Sequence, residues 1–397
     1  MPPILLHQPD LHGHRSEFLA YLVRAASLSE NAAHVALSAP EEFRHYYDSI
    51  YGPNALERSD LPLFLQTGGE ISEFIAKNSR HALLKLAISE SAAKHVFVDE
   101  INKYFIPRAR PISAVMWGIL YGPYVRLVKP SLFTYWRKQL SISLFLARHN
   151  VGTLWVLNDR KGADILNRKH PRFGKFEFLP DPVWPDEIFA NIPLRNNSQD
   201  NRVNLIFFGT PRVDKGPLVL LEAMQKLPIE CQAKIRLTFA GKNTGRDAET
   251  FRNALNAAQR NAPRAELVHL DRFISYGETA SLVSSCDAFL LPYVRTDRSS
   301  GVLGMAARFG KPVIASESGL LGELVKKHGL GDTVPTGNAE ALNQKLRSFI
   351  AGRNLTNFNA NKARSYADSR SCRVFADTIF SSMMSSEKPT WTSCGSH

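Results

Sequence analysis

Arg308-Phe309-Gly310-Lys311-Pro312-Val313-Ile314-Ala315-Ser316, continued by Gly319-Leu320-Leu321-Gly322-Glu323-Leu324-Val325, is the stretch whose reading decides the fold class. An apolar-periodic helix, Gly301–Phe309, stops at Gly310, a residue that takes the left-handed conformation helix ends favour. Pro312–Ala315 follows as a short, almost wholly apolar run, the pattern of a strand covered on both faces. A second glycine turn then opens another helix, Leu320–Lys327. Helix, buried strand and helix in succession are one unit of an α/β domain with a parallel sheet.

Working outward, the same alternation covers the second half of the chain. Val203–Phe208, Arg236–Ala240, Leu267–Leu270 and Ala288–Leu291 read as buried strands. Leu218–Lys226, Ala248–Asn261 and Tyr276–Ser284 read as the helices between them. In the first half, Ile4–His7, His34–Leu37, His95–Val98, Ala114–Trp117 and Thr153–Leu157 are expected strands. Arg15–Leu28, Gly69–Ser89 and Ser131–His149 are expected helices. Pro182–Gln199, rich in Pro, Asn and Asp without steady periodicity, reads as a linker.

A chain of 397 residues exceeds one ordinary core, so two domains of roughly 150–200 residues are expected. A hydrophobic fraction of 44% with 22% charged residues fits a folded globular protein. No apolar run approaches the roughly 20 residues of a bilayer-spanning helix. The opening MPPILLHQPD lacks a basic region followed by a long apolar core, so no signal peptide is expected and the cytoplasm is the expected compartment. Cys231, Cys286, Cys372 and Cys394 lie far apart without zinc-site spacing, as reduced structural thiols do. The net charge of +12 is spread along the chain with no nucleic-acid-binding motif, so nucleic acid is not an expected partner.

Parallel sheets bind ligands beyond the carboxyl ends of their strands. Phe208-Gly209-Thr210-Pro211-Arg212-Val213-Asp214-Lys215-Gly216 is such a loop, where a glycine admits close backbone approach and a basic pair suits a diphosphate. Asp297-Arg298-Ser299-Ser300-Gly301-Val302-Leu303 is another. There Ser300 is placed to cap the helix, and the amides of Gly301, Val302 and Leu303 would face an anion. Each loop alone reads equally as a surface turn with solvated cations or a capped helix.

Together and in order, these segments resemble the C-terminal domain of the family-4 (group 1) glycosyltransferases of the GT-B fold. The resemblance rests on Lys215-Gly216, Ala240-Gly241, Cys286-Asp287, Leu291-Pro292, Gly310-Lys311-Pro312-Val313 and Glu323-Leu324-Val325. It implies an α/β fold of two Rossmann-like domains facing a central cleft. Expected limits are 1–185 for an acceptor-side domain and 200–360 for a nucleotide-sugar domain. A helical segment over 361–385 would pack back on the first domain, ahead of a flexible tail, 386–397. The implied activity moves a sugar from a nucleoside-diphosphate sugar to an acceptor hydroxyl, with retention of configuration and without a metal or other cofactor. Polysaccharide or glycolipid assembly is the implied setting.

The resemblance also assigns roles. Arg212, Lys215 and His14 take the catalytic positions. Gly209, Thr210, Gly241, Phe273, Ile274, Asp297, Ser299, Ser300, Gly301, Val302 and Leu303 take the donor side. Two departures stand out: the family's loop arginine falls at Thr210, and the second of its two glutamates falls at Met305, which accepts no ribose hydrogen bond. Asp297 occupies the place of the first glutamate and is expected to grip the transferred sugar.

The first half resembles the family more faintly, through Asp10-Leu11-His12-Gly13-His14 after the first strand and Phe176-Glu177-Phe178-Leu179-Pro180-Asp181-Pro182 at the domain's end. His12, Gly13, Asp99 and Trp117 are its acceptor-side candidates. The histidines are equally read as solvated, Asp99-Glu100 as a structural turn, and Trp117 as packing. Arg108, Arg110, Arg126, Lys129, Arg137 and Lys138 flank Phe105, Ile106, Leu127, Leu132, Phe133 and Trp136, which reads as a helix that lies on an anionic membrane or as ordinary core packing of Leu132, Phe133 and Trp136 with solvated cations outside. A saccharide or lipid-linked saccharide acceptor at the inner membrane face is therefore an expected partner. A dinucleotide-dependent oxidoreductase is disfavoured, because no G-x-G-x-x-G follows a strand. A non-catalytic sugar- or nucleotide-binding protein stays open, given Met305.

Overall fold

The computed structural model describes residues 3–11, 15–30, 32–106, 109–127, 131–184 and 201–385. The chain forms two compact units, Met1–Pro182 with Cys372–His397, and Val183–Ser371.

The first unit is a seven-stranded, wholly parallel sheet in the order β3-β2-β1-β4-β5-β6-β7. Its strands are β1 (Ile4–His7), β2 (Val35–Pro40), β3 (Leu63–Gln66), β4 (His95–Glu100), β5 (Val115–Ile119), β6 (Val151–Leu157) and β7 (Phe176–Leu179). Its helices are α1 (Arg15–Ser27), α2 (Glu42–Tyr51), α3 (Gly68–Lys77), α4 (Arg80–Ser91), α5 (Leu132–Arg148) and α6 (Arg160–Lys169). The single helix expected over Gly69–Ser89 is two, because Ser79 turns its hydroxyl to the Ala82 amide (3.1 Å) and starts a new helix. Edge strand β3 was not expected: it is only four residues long, Leu63-Phe64-Leu65-Gln66, and none of them is fully buried.

The second unit is a six-stranded parallel sheet in the order β10-β9-β8-β11-β12-β13. Its strands are β8 (Val203–Phe208), β9 (Ile235–Ala240), β10 (Glu266–Leu270), β11 (Ala288–Leu291), β12 (Val313–Ser316) and β13 (Gly331–Val334). Around it lie α7 (Pro217–Gln225), α8 (Ile229–Gln232), α9 (Ala248–Asn261), α10 (Tyr276–Ser285), α11 (Gly301–Arg308), α12 (Gly319–His328), α13 (Ala339–Gly352) and α14 (Ala360–Asp368). Gly310 ends α11 as expected, with φ +61° and the Gly310 and Lys311 amides reaching back to the Ala307 and Ala306 carbonyls (3.1 and 2.8 Å). Strand β13 escaped the reading because its composition, Gly-Asp-Thr-Val, is polar. Asp332 is tolerated inside because Lys345 and the Asn357 amide satisfy it at 2.9 and 3.0 Å.

The C-terminal helical stretch divides between the units. Tyr366, Ala363 and Ala367 of α14 are buried in the second unit's core. Only α15 (Cys372–Ser385) returns to the first, where Phe375 meets Phe18 of α1 at 5.0 Å and Ile379, Phe380 and Met383 are buried. Residues 386–397 lie outside the described residues, as does most of the expected linker. Val183 and Trp184 at its start join the second unit, Val183 bridging Ser371 and Trp184 packing against Tyr276.

Helix α5 leaves an apolar stripe uncovered. Leu132, Phe133, Trp136 and Leu140 are 78%, 77%, 61% and 59% exposed, and their spacing places them on one face. Arg126, counted among the neighbouring cations, is instead committed inward, its Nε donating to Asp159 at 2.8 Å with both side chains nearly buried. Arg108 and Lys129 lie outside the described residues.

Candidate functional site

In each sheet the strand order reverses once, between β1 and β4 and between β8 and β11. Such a switch point opens a crevice at the carboxyl ends of the two strands, where neighbouring loops part to opposite sides. The two donor-side loops chosen from sequence are those following β8 and β11. They are adjacent only because of this strand order.

After β8 the chain must turn sharply. Gly209 takes φ +94° and donates its amide to the Ala240 carbonyl at the end of β9 (2.8 Å). A Cβ on Gly241 would come within 2.6 Å of the Gly209 carbonyl carbon, so the two strand ends touch backbone to backbone. A Cβ on Gly209 would lie 2.7 Å from Lys215 Nζ, which places that ammonium over the turn. Among the described residues, Lys215 has no hydrogen-bond acceptor. Burial, then the charge of Arg212, pushes its pKa down to about 8 against the pull of Asp214. The loop closes at Gly216, φ +73°, where a Cβ would sit 1.9 Å from the Pro292 carbonyl oxygen.

The loop after β11 is tied to the first through the backbone. The Asp214 carbonyl accepts the amides of Val294 and Arg295, both at 3.0 Å. Each loop then carries the same side-chain device. Arg212 Nε and Nη2 donate to Asp214 at 2.9 and 2.7 Å, and Arg295 Nε and Nη2 donate to Asp297 at 2.8 and 3.2 Å. Asp297 is only 2% exposed. The free carboxylate expected there is therefore engaged by Arg295. The Thr296 carbonyl accepts the Leu320 amide (2.9 Å), and a Cβ on Gly319 would meet that carbonyl oxygen at 2.4 Å, which anchors the loop to α12.

At the start of α11, Ser300 stands in the capping position but does not cap. Its Oγ meets the Tyr293 hydroxyl at 3.2 Å instead. The Leu303 amide is spent on the Ser300 carbonyl (2.9 Å), and the Leu303 side chain is fully buried. The Gly301 and Val302 amides have no partner among the described residues, and a Cβ on Gly301 would face open space. Two amides, rather than the three expected, thus remain for an anion. Ser299 is half-buried nearby. Thr210 supplies a carbonyl to the Arg212 amide (2.9 Å) and no charge. Met305 is buried among apolar side chains of the second unit's core, which explains why no carboxylate is found at that place.

Phe273 and Ile274 follow β10, the edge strand, two strands away from the switch point. Phe273 is 76% exposed, whereas Ile274 is buried in the core and offers no side chain to a ligand. Sequence reasoning missed Arg295 and Tyr293 and gave Asp214 no role. The repeated Arg-x-Asp spacing, Arg212-Val213-Asp214 and Arg295-Thr296-Asp297, was the available signal.

At the first unit's switch point, His12, Gly13 and His14 lie outside the described residues. Asp10 pairs with Arg15 (2.7 Å) and Lys103 (2.8 Å), and Lys103 also meets Glu100 at 3.2 Å. Asp99 is buried, accepts the Tyr121 hydroxyl at 2.8 Å, and is pushed up to about 7 chiefly by burial. It and Glu100 both face Arg15, at 4.0 and 2.5 Å, so the two carboxylates share a cation. Trp117 is not a sugar wall: it stacks on Trp155 (5.9 Å between centroids) and donates Nε1 to His95 (3.1 Å) in the core. β5 is covered on both faces, Met116 entering one core and Trp117 the other, so its place on that strand buries it.

Comparison with known proteins agrees with this geometry. No curated protein sequence matches the chain. Among solved structures, Anabaena HepE bound to UDP and glucose is similar over 96% of this chain and 99% of its own, with 14% identity and a TM-score of 0.68. Sucrose-phosphate synthase from Thermosynechococcus elongatus is similar over 96% and 98%, with 14% identity and a TM-score of 0.65. The N-terminal domain of Candida albicans trehalose-6-phosphate phosphatase is similar over 96% of both chains, with 9% identity and a TM-score of 0.66. These likenesses establish the GT-B fold. Residues 190–366, a little under half of the chain, match the family model described as glycosyl transferases group 1.

Proposed function

We propose that the loops after β8 and β11 hold the diphosphate of a nucleotide sugar, whose sugar passes to an acceptor hydroxyl with retention of configuration. The observation that carries this reading is Lys215. Its buried ammonium, without an acceptor of its own, lies over the Gly209 turn beside Arg212 and the uncapped start of α11. As the sugar–phosphate bond breaks, negative charge grows on the departing diphosphate. Preorganised cations and amides stabilise that charge more than they stabilise the bound donor, which lowers the barrier. The same groups take the charge-neutralising part that a divalent metal plays elsewhere, so transfer is expected to proceed without one.

The donor is sought first among UDP-sugars, since HepE was solved with UDP and glucose. GDP-, ADP- and dTDP-sugars complete the panel. A thermal-shift screen of the full chain should show stabilisation by one class of them. Transfer of labelled sugar from that donor should persist in EDTA. Activity lost in EDTA and restored by manganese would overturn the metal-independent reading.

The acceptor is proposed to be a lipid-linked saccharide at the inner face of a membrane, in polysaccharide or glycolipid assembly. The exposed Leu132, Phe133, Trp136 and Leu140 stripe of α5, with exposed Arg137 at its flank, supports this. An apolar stripe enters the interface while cations meet anionic headgroups. The protein should float with anionic liposomes at low salt, and Phe133→Ser/Trp136→Ser should weaken that binding by on the order of 10-fold or more, given the area removed. Equal flotation with neutral liposomes, or none at low salt, would remove the membrane.

A further inference from the structure

We propose that Arg295 is a third cation of the donor site, which reads the distal phosphate of a nucleoside diphosphate. This inference rests on the donor-site reading above.

Three observations converge. Asp214 faces three cations, Arg212, Lys215 and Arg295, while Asp297 answers Arg295 and Asp247 also acts on Arg212. Lys215, which has no acceptor of its own among the described residues, and two free helix amides leave donors suited to an anion. Second, Arg295 spends only Nε and one N–H of Nη2 on Asp297. Among the described residues its side chain makes no other hydrogen bond, which leaves three of the five guanidinium N–H groups unused. The side chain is 43% exposed while that of its aspartate is 3% exposed. The carboxylate thus holds the fork from behind and presents its outer edge. Third, Arg212 is held by Asp214 through the same two nitrogens, and the Arg295 amide is bonded to the Asp214 carbonyl. The two forks come from the two loops that flank the switch point, each with its rotamer fixed in advance by its own aspartate. Fixed donors lose less entropy on binding than free side chains.

The arrangement also accounts for Thr210. The positive charge missing from that position of the first loop is supplied from the second.

The test is calorimetric titration of the full chain with uridine, guanosine and adenosine diphosphates and the matching monophosphates. Arg295→Gln removes the charge but keeps an amide to satisfy Asp297. For the diphosphate that binds, affinity should fall roughly 10-fold or more, the scale of one charge-assisted contact, with the monophosphate changed less than about twofold. Arg295→Lys, which keeps the charge, should retain most of the diphosphate-over-monophosphate preference. A merely structural role for the Arg295–Asp297 pair would weaken both nucleotides alike. Equal weakening, or unchanged diphosphate affinity in Arg295→Gln, overturns the inference and leaves the donor site standing. Should Arg295→Gln not fold, loss of the preference in Arg295→Lys overturns it. If the unaltered chain binds none of the diphosphates, the donor-site reading itself falls.

Discussion

Replacing Lys215 by alanine should reduce sugar transfer by about 10²–10³-fold, the usual loss when one preorganised charge is removed from a developing anion. The fold should survive, because Lys215 is bonded to nothing that its loss would leave unpaired. The deficit should fall mainly on kcat, since the charge on the diphosphate grows toward the transition state. A pH profile supplies a second readout. Burial and Arg212 hold the Lys215 ammonium at about 8 rather than the usual 10.5. Above pH 8 the unliganded Lys215 loses its proton, and diphosphate binding must then take one up. Affinity should therefore decline by up to tenfold per pH unit above 8, and titrations in buffers of different ionisation enthalpy should register that uptake. Stability runs the other way. Between pH 8 and 10.5 the unfolded chain holds the proton and the folded chain does not, so this group favours the fold increasingly as pH rises through that window. Near-normal turnover in Lys215→Ala, or affinity flat to pH 10, would mean the ammonium does not touch the diphosphate.

Gly216→Ala should be the most damaging change of a single atom in the donor loop. The residue holds φ +73°, and its new Cβ would stand 1.9 Å from the Pro292 carbonyl oxygen, a backbone atom that cannot swing aside. Left-handed strain and overpacking together should cost about 2–4 kcal/mol. For a unit of this size that corresponds to a drop of roughly 5–15 °C in Tm. Relief of the clash would push the two donor loops apart, so catalysis should suffer beyond the stability loss. Gly310→Ala is the control: it shares a positive φ, +61°, but a Cβ there meets nothing within 4 Å. It should show the conformational strain alone. Equal melting of Gly216→Ala and the unaltered chain would show that the loops are not pressed together as described.

Much of the second unit was legible because its information is local. Leu205–Phe208 and Ala288–Leu291 are apolar throughout, which only a doubly covered strand requires, and Gly310 marks a helix end by its freedom at positive φ. Strand β13 was illegible for the opposite reason, since Gly331-Asp332-Thr333-Val334 is half polar, whereas β3 is apolar but only four residues long, too short to stand apart from a loop. Trp117 was ambiguous because an aromatic serves a core and a sugar site equally well, and only its place on β5 buries it.

The sequence by itself determined two α/β units, pointed to the β8 and β11 loops, and fixed the absence of a carboxylate at Met305. The tertiary structure alone decided which loops meet. Placing β8 beside β11, rather than β10, brings Arg212, Lys215 and Arg295 around Asp214, although some 80 residues separate them in the chain. It alone decided that Ser300 turns to Tyr293 instead of capping, and that Asp297 is occupied. Strand order and side-chain partnership are long-range choices, settled by burying two whole sheet faces at once, and no local spacing of residues records them.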